Sequence, residues 1–131
     1  MTLFEFEQMQ AGDAVRVTHG RKRKLLRVAG KRGCFLRASD GKEYELSECD
    51  PVRLSDIEAL QKLGFRKQLG LYAEDDCYSF GWLDVFPTHI CIWMNESGSV
   101  QRGVTGYKYL HQAQQKFREL HNEELKLKYD K

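Results

Sequence analysis

The stretch that most restricts the fold is Tyr107–Leu120, YKYLHQAQQKFREL. Leu110, Ala113, Phe117 and Leu120 recur at steps of three and four, which sets them on one face of a helix. Lys108, Gln112, Gln115, Lys116, Arg118 and Glu119 fall on the wet side. Burying a large apolar side chain contributes only about 1.5–3 kcal/mol before chain entropy is subtracted, so three of them do not sustain this helix alone. It must lie on a sheet. Thr105-Gly106 is the expected end of the strand before it and the expected cap at its start.

Upstream residues read as that sheet, because the apolar period changes from helical to two after Leu71. Leu71-Tyr72-Ala73, Cys77–Phe86 (broken near Gly81), His89–Met94 and Ser99–Val104 are strand candidates. Turns are expected at Glu74–Asp76, Pro87-Thr88 and Asn95–Gly98. Leu125–Tyr129 alternates like a last edge strand. A shorter helix is expected over Ser55–Leu63, capped by Ser55, striped by Ile57, Leu60 and Leu63, and stopped by Gly64.

The first half has a different rhythm. A short helix within Thr2–Gln10 precedes four short strand candidates, Ala14–Thr18, Lys24–Ala29, Cys34–Ala38 and Glu43–Leu46. Their connections are His19-Gly20, Gly30–Gly33 and the Asp40-Gly41 hairpin signal. Four such strands cannot bury much as a flat sheet, which suggests curling into a barrel. Cys49-Asp50-Pro51 is the junction. The chain is therefore expected to be α+β: a small N-terminal SH3-like antiparallel β-barrel over residues 1–50, then an antiparallel sheet packed against two helices over 51–131.

At 131 residues, 41% hydrophobic and 31% charged, the chain has the composition of a globular domain or of two very small ones. Net charge is only +2, but residues 1–37 hold nine Lys/Arg against Glu5, Glu7 and Asp13, a local charge of +6 that leaves −4 for the rest. No apolar run reaches the roughly 18–20 residues of a membrane span, and the start, MTLFEFEQ, has no export signal, so no membrane partner and a cytoplasmic location are expected. Cys34, Cys49, Cys77 and Cys91 show no paired spacing and read as reduced thiols.

The sharpest local feature is Arg16 to Arg37, nine basic residues without an acid. Arg16, Arg21, Lys22, Arg23, Lys24, Arg27, Lys31 and Arg32 are the candidate nucleic-acid contacts, since such a run neutralises phosphates. Phe35 is the lone aromatic among them, which favours backbone binding over base stacking. The plainer alternative is that these cations protect a strand edge from pairing.

Other chemistry is thinly supported. His89 and Cys91 share a strand face but lack the further ligands of a metal site. Asp75, Asp76 and Asp84 have the chemistry of a hard-cation or acid–base set, though Asp75-Asp76 reads as an ordinary turn. Cys77 or Cys91 with His111 has the chemistry of a nucleophile pair without its spacing. His111 is expected at the helix–sheet border, and Trp82 and Trp93 in the core or at a contact surface. No phosphate loop, dinucleotide fingerprint or nucleophile elbow is present. No cofactor, metal or catalytic residue is expected.

Tyr109-Leu110-His111-Gln112-Ala113-Gln114, then Phe117, Leu120 and Glu123-Glu124-Leu125, resembles a closing signature Y-V-H-Q-L-Q-x-L-Y-x-x-L-x-G-E-E-L. That signature occurs in a family of small uncharacterised proteins of Bacteroidetes genomes, prophages and mobile elements. Pro51, Leu54, Ser55, Gly64 and Phe65 resemble the family's P-x-P-L-T…G-F junction, and Gly12, Val15 and Val17 its opening G-N-x-V strand. Ala113, Lys116 and Asn122 depart from it, and the Leu54–Gly64 interval is one residue longer. The resemblance implies a mobile-element accessory protein and brings no catalytic residues.

Together these features point to a non-enzymatic binding module that meets nucleic-acid backbone through its basic 16–37 region. The alternative is a protein-interaction or structural accessory, self-associating through Leu125–Tyr129. A third reading is a small hydrolase whose site has no legible motif.

Overall fold

The computed structural model describes residues 1–68, 77–87, 89–94 and 101–130. The chain forms two compact units, Met1–Val52 with Tyr129–Lys131, and Arg53–Lys128.

The first unit opens with α1 (Leu3–Gln8). Thr2 caps it by accepting the Glu5 N–H at 3.1 Å, while the Glu5 carboxylate accepts the Thr2 N–H at 2.8 Å, a reciprocal box that satisfies two donors at the helix start. Five strands follow: β1 (Ala14–His19), β2 (Lys22–Arg32), β3 (Phe35–Ala38), β4 (Glu43–Glu45) and β5 (Cys49–Pro51), with a 3-10 turn over Leu46–Glu48. All pairings are antiparallel, in the order β4-β3-β2-β1-β5. Alternation sends Val15, Val17, Leu26, Val28, Leu36, Ala38, Tyr44 and Cys49 inward against Phe6 and Met9 of the N-terminal segment.

Three sequence expectations change here. The sheet is open, with β4 and β5 at its two edges, and is not closed into a barrel. Gly30-Lys31-Arg32 is strand and not turn: β2 runs eleven residues through a register shift between Val28 and Gly30, and the chain reverses at Gly33-Cys34, where Gly33 takes a left-handed φ of 58°. Cys49-Asp50-Pro51, expected as a mere junction, is an edge strand paired with β1 through Val15↔Pro51 and Val17↔Cys49. Proline is tolerated at an edge, where its missing N–H costs no ladder bond.

The second unit is built on a five-stranded meander, β6 (Arg66–Lys67), β7 (Tyr78–Phe80), β8 (Leu83–Val85), β9 (His89–Trp93) and β10 (Gln101–Thr105), in the order β10-β9-β8-β7-β6. The break expected near Gly81 is there, with Gly81 at φ 56° between β7 and β8. Leu71–Ala73 and the turns at Glu74–Asp76 and Asn95–Gly98 lie outside the described residues.

Both helices of this unit start later than the sequence suggests. α2 (Ile57–Lys62) is capped by Asp56, not Ser55; its carboxylate accepts the Ala59 N–H at 3.1 Å. α3 (Leu110–His121) is not capped by Thr105 or Gly106. The Gln112 side chain reaches back instead and accepts the N–H groups of Lys108 (2.9 Å) and Tyr109 (3.0 Å). At its other end Asn122 adopts φ 56°, a left-handed position that asparagine tolerates. Leu110, Ala113 and Phe117 are buried as expected, with His111 and Gln114 beside them; Leu120 is only half-buried.

Leu125–Tyr129 is a second correction in this half. Leu125 and Leu127 are buried and Lys126 and Lys128 exposed, yet the segment joins no sheet. Lys128 N–H donates to the Leu63 carbonyl at 2.9 Å. Further on, Asp130 closes a two-way bond with Leu25 of the first unit's β2, backbone to carbonyl and side chain to N–H, both at 2.8 Å.

Candidate nucleic-acid interface

In a strand, neighbouring side chains point to opposite faces and each residue advances about 3.3 Å. A basic run that becomes a strand is therefore divided between two faces and stretched out. From Lys22 to Arg32, β2 covers about 33 Å. The eight candidate cations do not form one patch.

Arg21, Lys22 and Arg23 stand at the closed end of the β1–β2 hairpin. His19↔Lys22 is the last pair, and Gly20, at φ 63°, makes the tight turn with Arg21. All three side chains are exposed, and among the described residues none makes an ion pair. Lys24, one pair inward, is half-buried and lies opposite Val17 on the core-facing side.

The remaining four serve elsewhere. Arg16 is half-buried in β1, between Leu25 and Asp50. Arg27 is exposed opposite Ala14. Lys31 is committed to the C-terminal end of α1, its ammonium donating to the carbonyls of Phe6 (3.1 Å) and Glu7 (3.3 Å) and lying 5.1 Å from the Phe6 ring centre. The Phe6 carbonyl also accepts the Met9 N–H at 3.2 Å, and a cation at this helix end adds a further donor and a favourable charge. Arg32 pairs with Glu43 across the sheet at 3.2 Å. Arg37, the ninth cation of the run, lies over Gly30, its guanidinium 3.1 Å from where a β-carbon would stand.

Carboxylates are present near the hairpin end, and each has an occupation. Glu48 is bonded to His19, which holds its carboxyl below the usual value, with the Glu45 backbone helping. Burial alone raises the Asp40 carboxyl, but the 2.5 Å bond from the Tyr44 hydroxyl, the Lys42 N–H and the charges of Lys24 and Lys42 outweigh it and leave it lowered. Tyr44 moves the opposite way, to about 12, first through burial and then through Asp40.

The other candidate residues fall in the second unit. Asp75 and Asp76 lie outside the described residues. Asp84 is buried in β8, cross-strand from Ser79 and Cys91. Its two carboxylate oxygens accept the Ser79 hydroxyl at 2.5 Å and the Trp93 indole N–H at 2.6 Å, and Cys77 lies 3.7 Å from the same hydroxyl. A buried carboxylate with both oxygens bonded costs far less than a bare one, and this arrangement ties β7, β8 and β9 together. The Asp84–Ser79–Trp93 bonding was not read from the sequence; its trace was an acid between Leu83 and Val85, at a strand position where a donor is required.

Cys91 is buried, its thiol pushed up by burial and by the Asp84 charge. His89 and Cys91 sit two apart on β9, and among the described residues no group of three or more His, Cys, Asp or Glu is placed to hold a metal. His111 is buried in α3 and stacked on Tyr109, ring centres 5.5 Å apart. All four cysteines are free, with Cys34 alone exposed. Among the described residues no helix is long and apolar enough to cross a membrane. No protein-family model, curated protein or solved structure matches the chain.

Proposed function

We propose that this protein is a non-enzymatic binding module of mobile-element type that meets the phosphate backbone of a nucleic acid through the end of its β1–β2 hairpin. The observation that carries this reading is the exposure of Arg21, Lys22 and Arg23 on a tight turn without ion pairs among the described residues. Exposed cations without partners have no competing bond to break when a phosphate arrives. Adjacent cations on a tight turn follow a backbone and do not read base edges, so affinity is expected to be tolerant of sequence. The strand order supports an SH3-like reading of the first unit: a meander β1–β4, a 3-10 turn, and β5 returning to β1.

The test is binding of a labelled duplex and a single strand by the wild type and by the R21S/K22S/R23S variant. The variant should lose most of its affinity at unchanged thermal stability, because all three residues are exposed. Equal binding by the two proteins, or none by the wild type at low salt, refutes the proposal.

A second reading, a protein-interaction module, has its own support in α1. Leu3 and Phe4 are 58% and 68% exposed, unusual for large apolar side chains on adjacent helix positions. Self-association that disappears in the L3S/F4S variant, measured by sedimentation, would favour it; a monomer at all concentrations, without a protein partner, counts against it.

A further inference from the structure

A cleft of about 520 Å³ lies wholly within the second unit, far along the chain from the basic hairpin. Its position follows from one backbone pairing. Leu54 N–H donates to the Lys108 carbonyl at 2.9 Å, and Arg53 bridges Tyr109, so the segment entering α2 runs beside the segment entering α3. Two cations, Arg53 and Lys108, thereby reach the same cavity from positions 55 residues apart. The other wall comes from the sheet. Phe86 N–H donates to the His89 carbonyl at 2.9 Å, closing the β8–β9 connection, and the two rings stack with centres 4.5 Å apart and planes 5° apart. Tyr78 and Tyr107 complete the aromatic lining.

The character of the cavity follows from what these residues carry. Arg53 and Lys108 are exposed cations, and among the described residues neither pairs with a carboxylate and no carboxylate lines the cleft. Asp50 and Asp56 each lie three residues from Arg53 in sequence; Asp50 pairs with the N-terminal ammonium at 3.6 Å and Asp56 is occupied with capping α2. The cleft therefore favours an anion. Its volume lies within the roughly 300–1,000 Å³ of small-molecule sites, whereas a bare ion the size of a water molecule needs only about 30 Å³. The remaining space is bounded by flat rings, against which another ring stacks.

We propose that this cleft binds a small organic anion built on a flat ring, the acidic group taken by Arg53 and Lys108 and the ring by the Phe86–His89 wall. Two sources share that chemistry, a nucleoside monophosphate and an aromatic carboxylate. The site shares no residue with the hairpin and does not depend on the function proposed for it.

The test is calorimetric titration of the full chain with adenosine 5′-monophosphate and with anthranilate, alongside adenosine and inorganic phosphate, which carry the ring and the charge separately. At least one ring-bearing anion should bind about tenfold or more tightly than either half molecule, and the tighter of the two identifies the source. The R53Q/K108Q variant should weaken that binding by about tenfold or more, the usual loss on removing a charge-assisted bond. In F86L, which keeps bulk but removes the flat surface, the advantage over inorganic phosphate should vanish. The R21S/K22S/R23S variant should bind the probe as well as the wild type does, which separates this site from the hairpin. The proposal is overturned if both ring-bearing anions bind no better than adenosine and phosphate, if R53Q/K108Q folds and binds unchanged, or if binding is lost in the hairpin variant.

Discussion

Single residues fix several of the structure's decisions, and Gly64 shows how. It follows α2 at φ 107°, its N–H donating to the Gln61 carbonyl, and a β-carbon there would stand 2.9 Å from the Phe80 ring. Gly41, at φ 84°, has open space where its β-carbon would be. Gly41→Ala is expected to cost about 1 kcal/mol from backbone strain alone, and Gly64→Ala about 2–3 kcal/mol because strain and collision add. Urea unfolding of the two variants checks this; equal losses would mean that the Phe80 contact yields freely. Tyr44 gives a pH signature. Its ordinary value of 10.0 is pushed up to about 12 in the folded state, so its contribution to stability is whole below pH 10 and is lost as pH rises through about 12. Phenolate absorbance should contain a component near pH 12 that Tyr44→Phe removes, and its persistence in that variant would contradict the assignment. The stop at Gly64 was legible in the sequence because a glycine after a helical stripe is a local signal. The Tyr44–Asp40 pair was not, because the register that closes it depends on the neighbouring strands.

At the scale of elements, apolar period located helices and strands well, while their ends depended on side chains reaching over several residues. Gln112 and Asp56 displaced the expected caps because each places an oxygen on the backbone N–H groups left open at a helix start. Asp56→Ala is expected to cost about 1 kcal/mol and Ser55→Ala much less, measured by thermal unfolding; the reverse order would restore the sequence-based assignment. The second unit's hairpin at Gly81 was legible, whereas β5 was hidden behind a proline that only an edge position accommodates. Lys31 is the clearest case of a cation misread. Within a basic run it looks like a phosphate contact, but the register shift after Val28 sets it opposite Leu36, and its ammonium closes the end of α1. Lys31→Met should therefore lower stability by about 1–3 kcal/mol, as expected for loss of a charged hydrogen bond, while leaving nucleic-acid binding nearly unchanged.

For the whole molecule, function was the least legible level, and the reason is geometric. Nine cations in one stretch of sequence give a charge but not a surface; folding that stretch as β1 and β2 sends some inward, pairs Arg32 with Glu43 and leaves Arg21, Lys22 and Arg23 at the turn. The cleft of the second unit left no trace in the sequence, since Arg53 and Lys108 become neighbours only through a pairing between the entries to two helices. The central claim, that the hairpin end meets a phosphate backbone by charge, is tested most directly by the salt dependence of duplex binding. Each neutralised phosphate contributes a slope of about −0.9 in log K against log salt, so three hairpin cations predict a wild-type slope about 2.7 units steeper than that of R21S/K22S/R23S. Parallel lines for the two proteins, or a wild-type affinity indifferent to salt, would contradict it.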